Sequence, residues 1–244
     1  MSSTPRVAVV TGGSRGIGRA VTRRLAADGY DVAIVYTADH HEAVASVKEI
    51  EAVGGTGRAY QADIADAPVI ERVFESVEER FGGIDVVINA AGIMPLAPVS
   101  ALDLDILDRL LRTNVRGTFV IAQQAARRVR AGGAIVAFST TVTRTHLPTY
   151  GAYAATKGAV EALVPILAKE LAGNDITVNA VAPGPTATEL FFEGKSQEVV
   201  DRIVGAHPRG RLGTPEDVAE VVATLAGPAR WINGQTVFVN GGLA

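Results

Sequence analysis

Short apolar segments alternate with amphipathic helical segments along the whole chain. The apolar segments have the length of β-strands and are rich in Val, Ile and Ala: Val7–Val10, Val32–Tyr36, Gly57–Gln61, Ile84–Asn89, Ala134–Phe138, Thr177–Val181 and Thr236–Val239. The segments with helical periodicity lie between them: Ile17–Asp28, Glu42–Val53, Pro68–Phe81, Leu102–Arg130, Tyr153–Ala172 and Pro215–Ala226. Such alternation is typical of βαβ units with right-handed crossovers. The sequence therefore predicts an α/β fold in which a parallel seven-stranded sheet has helices on both faces.

The chain of 244 residues contains no linker, repeat or low-complexity segment that would divide it. Because α/β folds of about 250 residues commonly form one unit, we expect a single domain over residues 1–244. The longest stretch without a clear element runs from Pro183 to Thr214, with a short helix near Ser196–Val204. Irregular stretches of this length inside a compact domain are usually functional. We interpret residues 184–213 as a substrate lid.

Composition excludes several kinds of site and partner. The chain has no cysteine, which excludes disulfides, cysteine-ligated zinc, iron–sulfur clusters and thiol nucleophiles, and which fits a reducing compartment. Its formal net charge of -3 lacks the basic excess of a nucleic-acid-binding protein. No uncharged apolar stretch is long enough to cross a bilayer, and the polar start, Met1 to Arg6, does not resemble a signal peptide. We therefore expect a cytoplasmic protein without nucleic-acid or membrane partners.

A glycine-rich turn follows the first predicted strand and precedes the first predicted helix: Thr11-Gly12-Gly13-Ser14-Arg15-Gly16-Ile17-Gly18. A tight strand-to-helix turn needs glycine, because its backbone adopts unusual dihedral angles and approaches a bound pyrophosphate closely. The amino terminus of the following helix offers free N–H groups and a positive dipole end to the phosphates. The turn therefore predicts a dinucleotide site.

The spacing Thr-Gly-x-x-x-Gly-x-Gly resembles the glycine motif of the short-chain dehydrogenase/reductase family. The resemblance covers nearly the whole chain, with further motifs in the family's order: Asp63-Ile64, Asn89-Ala90-Ala91-Gly92, Asn114, Tyr153-Ala154-Ala155-Thr156-Lys157, Pro183-Gly184 and Asn233 to Gly242. It implies a Rossmann-type, doubly wound sheet and an NAD(P)-dependent oxidoreductase. The implied reaction is hydride transfer between nicotinamide and a ketone or secondary alcohol, with a tyrosine as general acid or base.

The resemblance also implies which residues contact the cofactor. They are Gly12, Ser14, Arg15, Ile17, Thr37, Asp63, Ile64, Asn89, Ala90, Gly92, Tyr153, Lys157, Pro183, Gly184, Thr186 and Thr188. By this resemblance Asp63 and Ile64 contact the adenine ring, and Thr186 and Thr188 hold the nicotinamide carboxamide and the nearby phosphate. Ala90 stands where the family usually has a second Asn, so a structural hydrogen bond is missing or replaced.

The residues after the second strand favour NADP(H) over NAD(H). NAD-preferring enzymes place an acidic residue there, which accepts a hydrogen bond from the ribose 2′-hydroxyl. This chain has Tyr36, Thr37 and Ala38 at that position. Arg15 in the glycine turn can pair with a 2′-phosphate. Asp39 favours NAD(H) if its side chain turns inward, and is neutral if it caps the following helix.

Tyr153 and Lys157 are four residues apart, so a helix places both side chains on one face. An ordinary tyrosine has a pKa of about 10, and we expect the lysine ammonium to lower the pKa of Tyr153. The resemblance implies that Tyr153 is the general acid and that Lys157 binds the ribose hydroxyls. It further implies a substrate-binding hydroxyl at residue 140, where this chain has Thr140 in place of the usual Ser. Ser139 is the alternative, although alternation along the strand turns it to the other side.

Asn114 matches the family's helix-kinking asparagine, whose implied role is to help hold a water that connects Lys157 to solvent. Apolar side chains around the predicted site indicate an apolar substrate. The candidate substrate-binding residues are Met94, Leu96, His146, Leu147, Tyr150, Phe191 and Phe192. His40 and His41 are adjacent and diverge on a helix, and no set of residues indicates a metal site.

Other functions stay open within this resemblance. The 3-oxoacyl-carrier-protein reductases are similar over the full length and often carry basic residues before the fifth and sixth strands, where they meet the acidic carrier. Arg127, Arg128 and Arg130 partly supply the first basic patch, whereas Asn174 and Asp175 occupy the second position. Redox-sensing regulators with this fold typically lack the Tyr/Lys pair, which is present here. Dehalogenase-like and epimerase relatives differ at the lysine or in the glycine spacing.

The carboxyl-terminal segment, Trp231 to Ala244, is unusually apolar for a terminus. Such a segment is expected to be buried against another subunit. The family commonly forms tetramers with D2 symmetry. We therefore expect a homotetramer.

Overall fold

The computed structural model describes residues 5–244, which form one seven-stranded sheet. The strands are β1 (Arg6–Thr11), β2 (Tyr30–Tyr36), β3 (Gly57–Gln61), β4 (Ile84–Asn89), β5 (Val129–Phe138), β6 (Thr177–Pro183) and β7 (Thr236–Val239). Their order across the sheet is β3-β2-β1-β4-β5-β6-β7, and every neighbouring pair is parallel. The predicted Rossmann-type, doubly wound α/β fold is confirmed. The prediction about a signal peptide rests mostly on residues 1–4, which lie outside the described residues.

Helices connect the strands, and several of them begin at residues whose side chains cap them. They are α1 (Gly16–Ala27), α2 (His40–Ala52), α3 (Ala67–Phe81), α4 (Leu104–Leu110), α5 (Gly117–Arg128), α6 (Val142–Thr145), α7 (Gly151–Glu170), α8 (Glu189–Phe192), α9 (Gln197–Ala206) and α10 (Pro215–Ala226). Asp39 and Asp66 accept backbone N–H groups at the starts of α2 and α3, and Thr214 forms a capping box with Asp217 at the start of α10. Each such cap stabilises its helix by about 1 kcal/mol.

The sheet separates two apolar cores. Val7 and Val9 face one core, which contains buried residues of α3, α5 and α7, whereas Ala8 and Val10 face the other, which contains residues of α1 and α10. Successive strand residues enter opposite cores because side chains alternate along a strand. Helices cover both faces, and this explains why the strands are continuous apolar runs. Burial of each Val or Ile side chain contributes roughly 1.5–3 kcal/mol.

The predicted helix Leu102–Arg130 is helical from Leu104 to Arg128, but it is not a regular α-helix throughout and its predicted end is wrong. The structure divides it into α4, a π-helical segment at Leu111–Arg116, and α5, which ends at Arg128. Val129 and Arg130 belong instead to β5, where the pairing with β4 shifts register between Ile84 and Val86. The π-helical segment coincides with a non-local contact that helical periodicity cannot predict. The Asn114 side chain forms hydrogen bonds with the backbone of the loop after β4.

The irregular segment 184–213 leaves the carboxyl end of β6 and returns to it. A bridge between Thr186 and Gly213 closes the segment at its base, and α8 and α9 lie within it. The short helix expected near Ser196–Val204 corresponds to α9. The role of this segment as a substrate lid stays a prediction.

Among residues 5–244, none of the helices combines the length and the apolar character that a membrane span requires. Within the same residues, no group of three or more His, Asp or Glu side chains is arranged to hold a metal ion.

Candidate active site

A cavity of about 570 Å³ opens at the carboxyl edge of the sheet, next to β1 and β4. The strand order reverses between these two strands, and such a switch point is where doubly wound sheets bind ligands. Most of the predicted site residues line the cavity: Gly12, Ser14, Arg15, Ile17, Thr37, Asp63, Ile64, Ala90, Gly92, Met94, Thr140, Leu147, Tyr150, Tyr153, Lys157, Pro183, Gly184, Thr186, Thr188 and Phe191. The sequence motifs therefore converge on one site.

The glycine turn lies against the floor of the cavity. Gly12 has φ +65°, and a Cβ atom there would lie 3.0 Å from the backbone nitrogen of Ala91. A Cβ atom on Gly18 would lie 2.1 Å from the carbonyl oxygen of Gly12, so α1 packs on the turn only because residue 18 lacks a side chain. The first turn of α1 has no side-chain cap and no acidic residue. Its N–H groups thus suit an anionic ligand such as a pyrophosphate.

Buried hydrogen bonds fix the loop after β4 to the end of β1. The Thr11 hydroxyl donates to Asn89 Oδ1 at 2.7 Å and accepts the N–H of Ala91 at 3.1 Å. The Asn89 amide donates to the Thr118 hydroxyl on α5 at 3.0 Å. Asn89 is buried behind the cavity wall and does not line it. The N–H of Ala90 donates to the Thr11 carbonyl at 3.2 Å, so the backbone at this position is held without an asparagine side chain.

The residues that follow β2 form the far end of the cavity. Tyr36, Thr37, Ala38 and Asp39 all line it. The Asp39 carboxylate accepts the N–H of Glu42 at 3.1 Å, which is the helix-capping role. The Tyr36 hydroxyl lies 2.7 Å from Nδ1 of His40 and hydrogen-bonds to it. This end therefore has no acidic side chain except one that is engaged in capping α2.

Arg15 stands at the mouth of the cavity and has few constraints. Its side chain is 66% exposed, and its guanidinium lies 3.8 Å from the carboxylate of Glu189 on α8. An exposed pair at this distance contributes little to stability. The guanidinium is therefore free to pair with an anionic ligand.

Asp63 already has two partners of its own. One carboxylate oxygen accepts the N–H of Ala65 at 2.9 Å, and the other pairs with Arg112 at 2.7 Å. Ile64, the next residue, is buried and also contacts the cavity. These contacts fix the turn after β3 beside the cavity.

Tyr153 and Lys157 extend from α7 into the cavity, and both are buried. Burial raises the pKa of the Tyr153 phenol to about 12, although the Thr140 hydroxyl partly opposes the rise. Burial lowers the pKa of the Lys157 ammonium to about 8. The Nζ atom of Lys157 donates to the carbonyl of Phe138 at 2.8 Å. The pKa of Tyr153 therefore lies above its ordinary value and not below it, as the neighbouring lysine had led us to expect, because the loss of solvent around the phenol is the larger effect.

Two consecutive residues after the carboxyl end of β5, Ser139 and Thr140, have hydroxyls with different partners. The Ser139 hydroxyl donates to Glu161 at 2.6 Å. The Thr140 hydroxyl accepts the N–H of Val142 at 3.3 Å and interacts with the phenol of Tyr153. Contrary to the expected alternation, both residues line the cavity; the Ser139 hydroxyl is engaged by Glu161, whereas that of Thr140 faces Tyr153.

Asn114 lies behind the cavity within the π-helical segment and is buried. Its amide donates to the Ile93 carbonyl at 2.9 Å and to the Thr156 hydroxyl at 3.1 Å, and its Oδ1 accepts the N–H of Ile93 at 3.0 Å. A Cβ atom on Gly92 would lie 3.3 Å from Asn114 Oδ1 and 3.6 Å from Lys157 Nζ. Gly92 therefore leaves the two polar groups close to each other.

The apolar part of the cavity wall differs from the prediction. Met94, Leu147, Tyr150 and Phe191 line it, whereas Leu96, His146 and Phe192 do not. His146 ends α6 with φ +51° and is exposed, because its backbone turns away after the helix. Phe192 is 44% exposed and touches Phe191 edge-on. Leu96 is half-buried in the loop after β4.

Sequence reasoning also missed part of the lining. Ile93, Val142, Thr145, Leu190 and the near-terminal Leu243 all contact the cavity. Ile93 and Leu190 are immediate neighbours of predicted residues, and this adjacency could have identified them. Leu243 has no local signal, because its position depends on how the chain returns after β7.

Comparisons with known proteins agree with this geometry. A family model described as Enoyl-(Acyl carrier protein) reductase matches residues 12–244. The chain is 40% identical over 253 residues to an NADPH-dependent aldehyde reductase 2, chloroplastic, of Arabidopsis thaliana, with 97% of this chain and 93% of the relative covered. It is 38% identical over 239 residues to a 3-oxoacyl-(acyl-carrier-protein) reductase of Staphylococcus aureus, with 97% of each covered. A crystal structure of a short chain dehydrogenase from Burkholderia cenocepacia in complex with NADP has a TM-score of 0.92 and 40% identity, covering 99% of this chain and 98% of that one.

Proposed function

The chain belongs to the short-chain dehydrogenase/reductase family and is an NAD(P)-dependent oxidoreductase, and we propose that it reduces the carbonyl group of small, apolar ketones or aldehydes with NADPH. The observation that supports the reaction best is that Tyr153, Thr140 and Lys157 line the same cavity as the glycine turn. A proton donor and a second hydroxyl beside a dinucleotide site are the groups that carbonyl reduction needs.

The residues around the cavity fit a dinucleotide. The uncapped first turn of α1 and the glycines that pack beneath it would hold the pyrophosphate. Ile64 would lie along the adenine ring, and Thr186 and Thr188 would hold the nicotinamide end. A bound dinucleotide supplies the hydride that the carbonyl carbon receives.

Tyr153 gives the proton in this reaction. Because the pKa of its phenol is about 12, the side chain is protonated at neutral pH and can donate to a carbonyl oxygen that becomes an alkoxide. Thr140 donates a hydrogen bond to the same oxygen and so stabilises its developing charge. Lys157 binds the ribose hydroxyls, and its positive charge favours the phenolate that Tyr153 becomes after proton transfer. The buried Asn114 helps to hold the water through which Lys157 exchanges protons with solvent.

The preference for NADP(H) has support from both the site and the relatives. Arg15 is available for a 2′-phosphate, and Asp39, the acidic residue after β2, is engaged in capping α2. The Arabidopsis thaliana relative is named NADPH-dependent, and the Burkholderia cenocepacia structure contains NADP. A charge-assisted contact between a guanidinium and a phosphate favours NADP(H) over NAD(H).

The substrate proposal rests on the wall beside Tyr153. Met94, Leu147, Tyr150 and Phe191 present apolar surface there. Burial of an apolar substrate flank against such a wall is favourable, whereas a sugar or carboxylate would lose its hydration without polar partners.

Reduction of a 3-oxoacyl group on a carrier protein is the second candidate, because a relative has that activity in its name. The basic patch that such a carrier would contact is largely neutralised. Arg128 pairs with Glu75 and Glu78, and Arg130 pairs with Asp85. These ion pairs favour the small-molecule substrate. A dinucleotide-sensing regulator is less favoured, since both Tyr153 and Lys157 are in the cavity.

We also propose a homotetramer. Trp231 is fully exposed in the single chain, and Phe119 on α5 and Ile166 on α7 are more than half exposed. Large exposed apolar side chains of this kind commonly mark contacts between subunits.

A kinetic screen tests the proposed function. NADPH and NADH are each combined with aryl ketones, aldehydes and an acetoacetyl thioester, and the rate of cofactor oxidation is measured. Faster turnover of the ketones and aldehydes with NADPH supports the proposal. Preference for the thioester favours the carrier-protein candidate, and binding of NADPH without turnover of any carbonyl contradicts the enzyme.

A further inference from the structure

Glu161 lies on α7 one turn beyond Lys157 and two turns beyond Tyr153, so the three side chains share one face of the helix. A lysine and a glutamate four residues apart often pair. Here Lys157 donates instead to the Phe138 carbonyl, and one Glu161 oxygen, Oε1, accepts hydrogen bonds from two hydroxyls. Those hydroxyls belong to Ser139, at 2.6 Å, and Thr143, at 2.7 Å.

The two hydroxyls that bind Glu161 lie on either side of Thr140 in the chain. Thr143 Oγ1 also lies 2.9 Å from the Thr140 carbonyl oxygen. A hydroxyl has one hydrogen, and the charged carboxylate is the stronger acceptor for it. Glu161 thus connects the helix that contains Tyr153 to both ends of the turn that contains Thr140.

This arrangement leaves the hydrogen of the Thr140 hydroxyl available. Thr140 Oγ1 accepts the N–H of Val142, which uses a lone pair and not the hydrogen. The hydroxyl of Thr141 donates to the Ala182 carbonyl at 3.2 Å. Thr140 can therefore donate to an oxygen next to Tyr153, while its neighbours donate to the protein.

We propose that Glu161 is a positioning residue for carbonyl reduction: by binding Ser139 and Thr143 it fixes the Thr140 hydroxyl relative to Tyr153. The inference rests on the proposed function, since it concerns the same site. Glu161 does not line the cavity and acts through the residues that it binds. Catalysis depends steeply on such placement, because a misplacement of about 1 Å costs up to ~10²-fold in rate.

The test is a double-mutant cycle that compares Glu161→Ala in three backgrounds: wild type, Thr140→Ser and Thr140→Val. The first two keep the hydroxyl at residue 140, and the third removes it with little change of shape. We expect Glu161→Ala to lower kcat by about 10-fold in the first two backgrounds and by less than about 2-fold in Thr140→Val. The KM for NADPH should stay within about 2-fold, because the glycine turn is remote from these contacts.

Two further variants keep the test decisive. Glu161→Gln keeps an oxygen acceptor and should restore part of the lost kcat, and it replaces Glu161→Ala in the cycle if that variant does not fold. Glu170→Ala changes an exposed glutamate at the end of the same helix and should leave kcat and the melting temperature unchanged.

Equal losses of kcat in all backgrounds would show a merely structural role and overturn the inference, as would an unchanged kcat in Glu161→Ala. A large loss in Tyr153→Phe together with full activity in Glu161→Ala would reject the positioning role and leave the proposed function intact. Full activity in Tyr153→Phe would reject the proposed function, and the inference with it.

Discussion

The Nζ atom of Lys157 lies 5.8 Å from the centre of the Tyr153 ring, and both side chains are buried on one face of α7. Burial favours the neutral form of each group. It raises the pKa of the Tyr153 phenol, which holds its proton more tightly, and lowers the pKa of the Lys157 ammonium, which releases its proton more readily. At neutral pH the phenol therefore holds its proton, which is the form that carbonyl reduction requires.

Replacement of Tyr153 by Phe should lower kcat for reduction by at least ~10², because the general acid is lost while the ring remains. The dissociation constant for NADPH should change by less than a few-fold. Tyr150→Phe is the matched control, since Tyr150 also lines the cavity and its ring contacts that of Tyr153. Steady-state rates and fluorescence titration measure both quantities. Retention of most of the wild-type rate in Tyr153→Phe would refute the assignment.

Replacement of Lys157 by Met should abolish reduction yet stabilise the folded chain at neutral pH. The folded-state pKa of about 8 lies below the ordinary value of 10.5, so folding disfavours the charged form. That cost is fully present below pH 8 and disappears as the pH rises towards 10.5, because stability rises with pH where the unfolded state binds more protons. The variant should gain about 1–3 kcal/mol at pH 7.

Urea unfolding of wild type and Lys157→Met at pH 7 and pH 10 checks this prediction. The stability advantage of the variant should shrink at the higher pH. An advantage that is independent of pH, or a less stable variant at pH 7, would contradict the role of the buried charge. Lys169→Met, at an exposed position of the same helix, is the control.

Replacement of Arg15 by Ala should discriminate between the two dinucleotides. Loss of a charge-assisted contact to the 2′-phosphate should raise the KM for NADPH by about 10-fold or more and change the KM for NADH by less than 2-fold. Arg112→Ala is a useful comparison, because Arg112 binds Asp63 beside the cavity and its loss should affect both cofactors alike. Equal effects of Arg15→Ala on both cofactors would reject the 2′-phosphate contact.

The single tryptophan reports on assembly. Trp231 is fully exposed in the isolated chain, so burial between subunits should shift its fluorescence emission to shorter wavelength. Light scattering should give the mass of a tetramer, and dilution should restore the emission of an exposed indole as subunits separate. A monomeric mass with emission typical of exposed tryptophan would exclude the homotetramer.

Much of the fold follows from local sequence. The bounds of β3, β4 and β7 match those predicted, because Gly, Pro and polar residues end short apolar runs clearly. The division of the helix at Leu111–Arg116 does not follow, since it depends on contacts between Asn114 and a loop some twenty residues away in sequence. Helical periodicity cannot contain such a contact.

The site divides in the same way. Gly12, Tyr153 and Lys157 could be identified because their chemistry depends on short-range spacing. The direction in which the pKa of Tyr153 shifts depends on how deeply the whole fold buries the phenol, and a local sequence pattern cannot predict that burial. His146 and Phe192 do not line the cavity as predicted, because the side-chain directions of irregular segments have no period that a sequence could show. Glu161 had a signal, its spacing of four from Lys157, but its partners Ser139, just after β5, and Thr143, on α6, became visible only in the fold.

The π-helical segment has a consequence for insertions and deletions. It contains one residue more than an α-helix of the same span, so deletion of one residue there would allow α4 and α5 to join as a single regular helix. Because the extra residue is accommodated within the turn, the deletion would leave α4 and α5 in their present orientations but would remove the bulge in which Asn114 binds the Ile93 backbone. Length at this point of the chain is therefore as constrained as residue identity, and engineered variants should vary the substrate side of the cavity by substitution and keep the residue count unchanged.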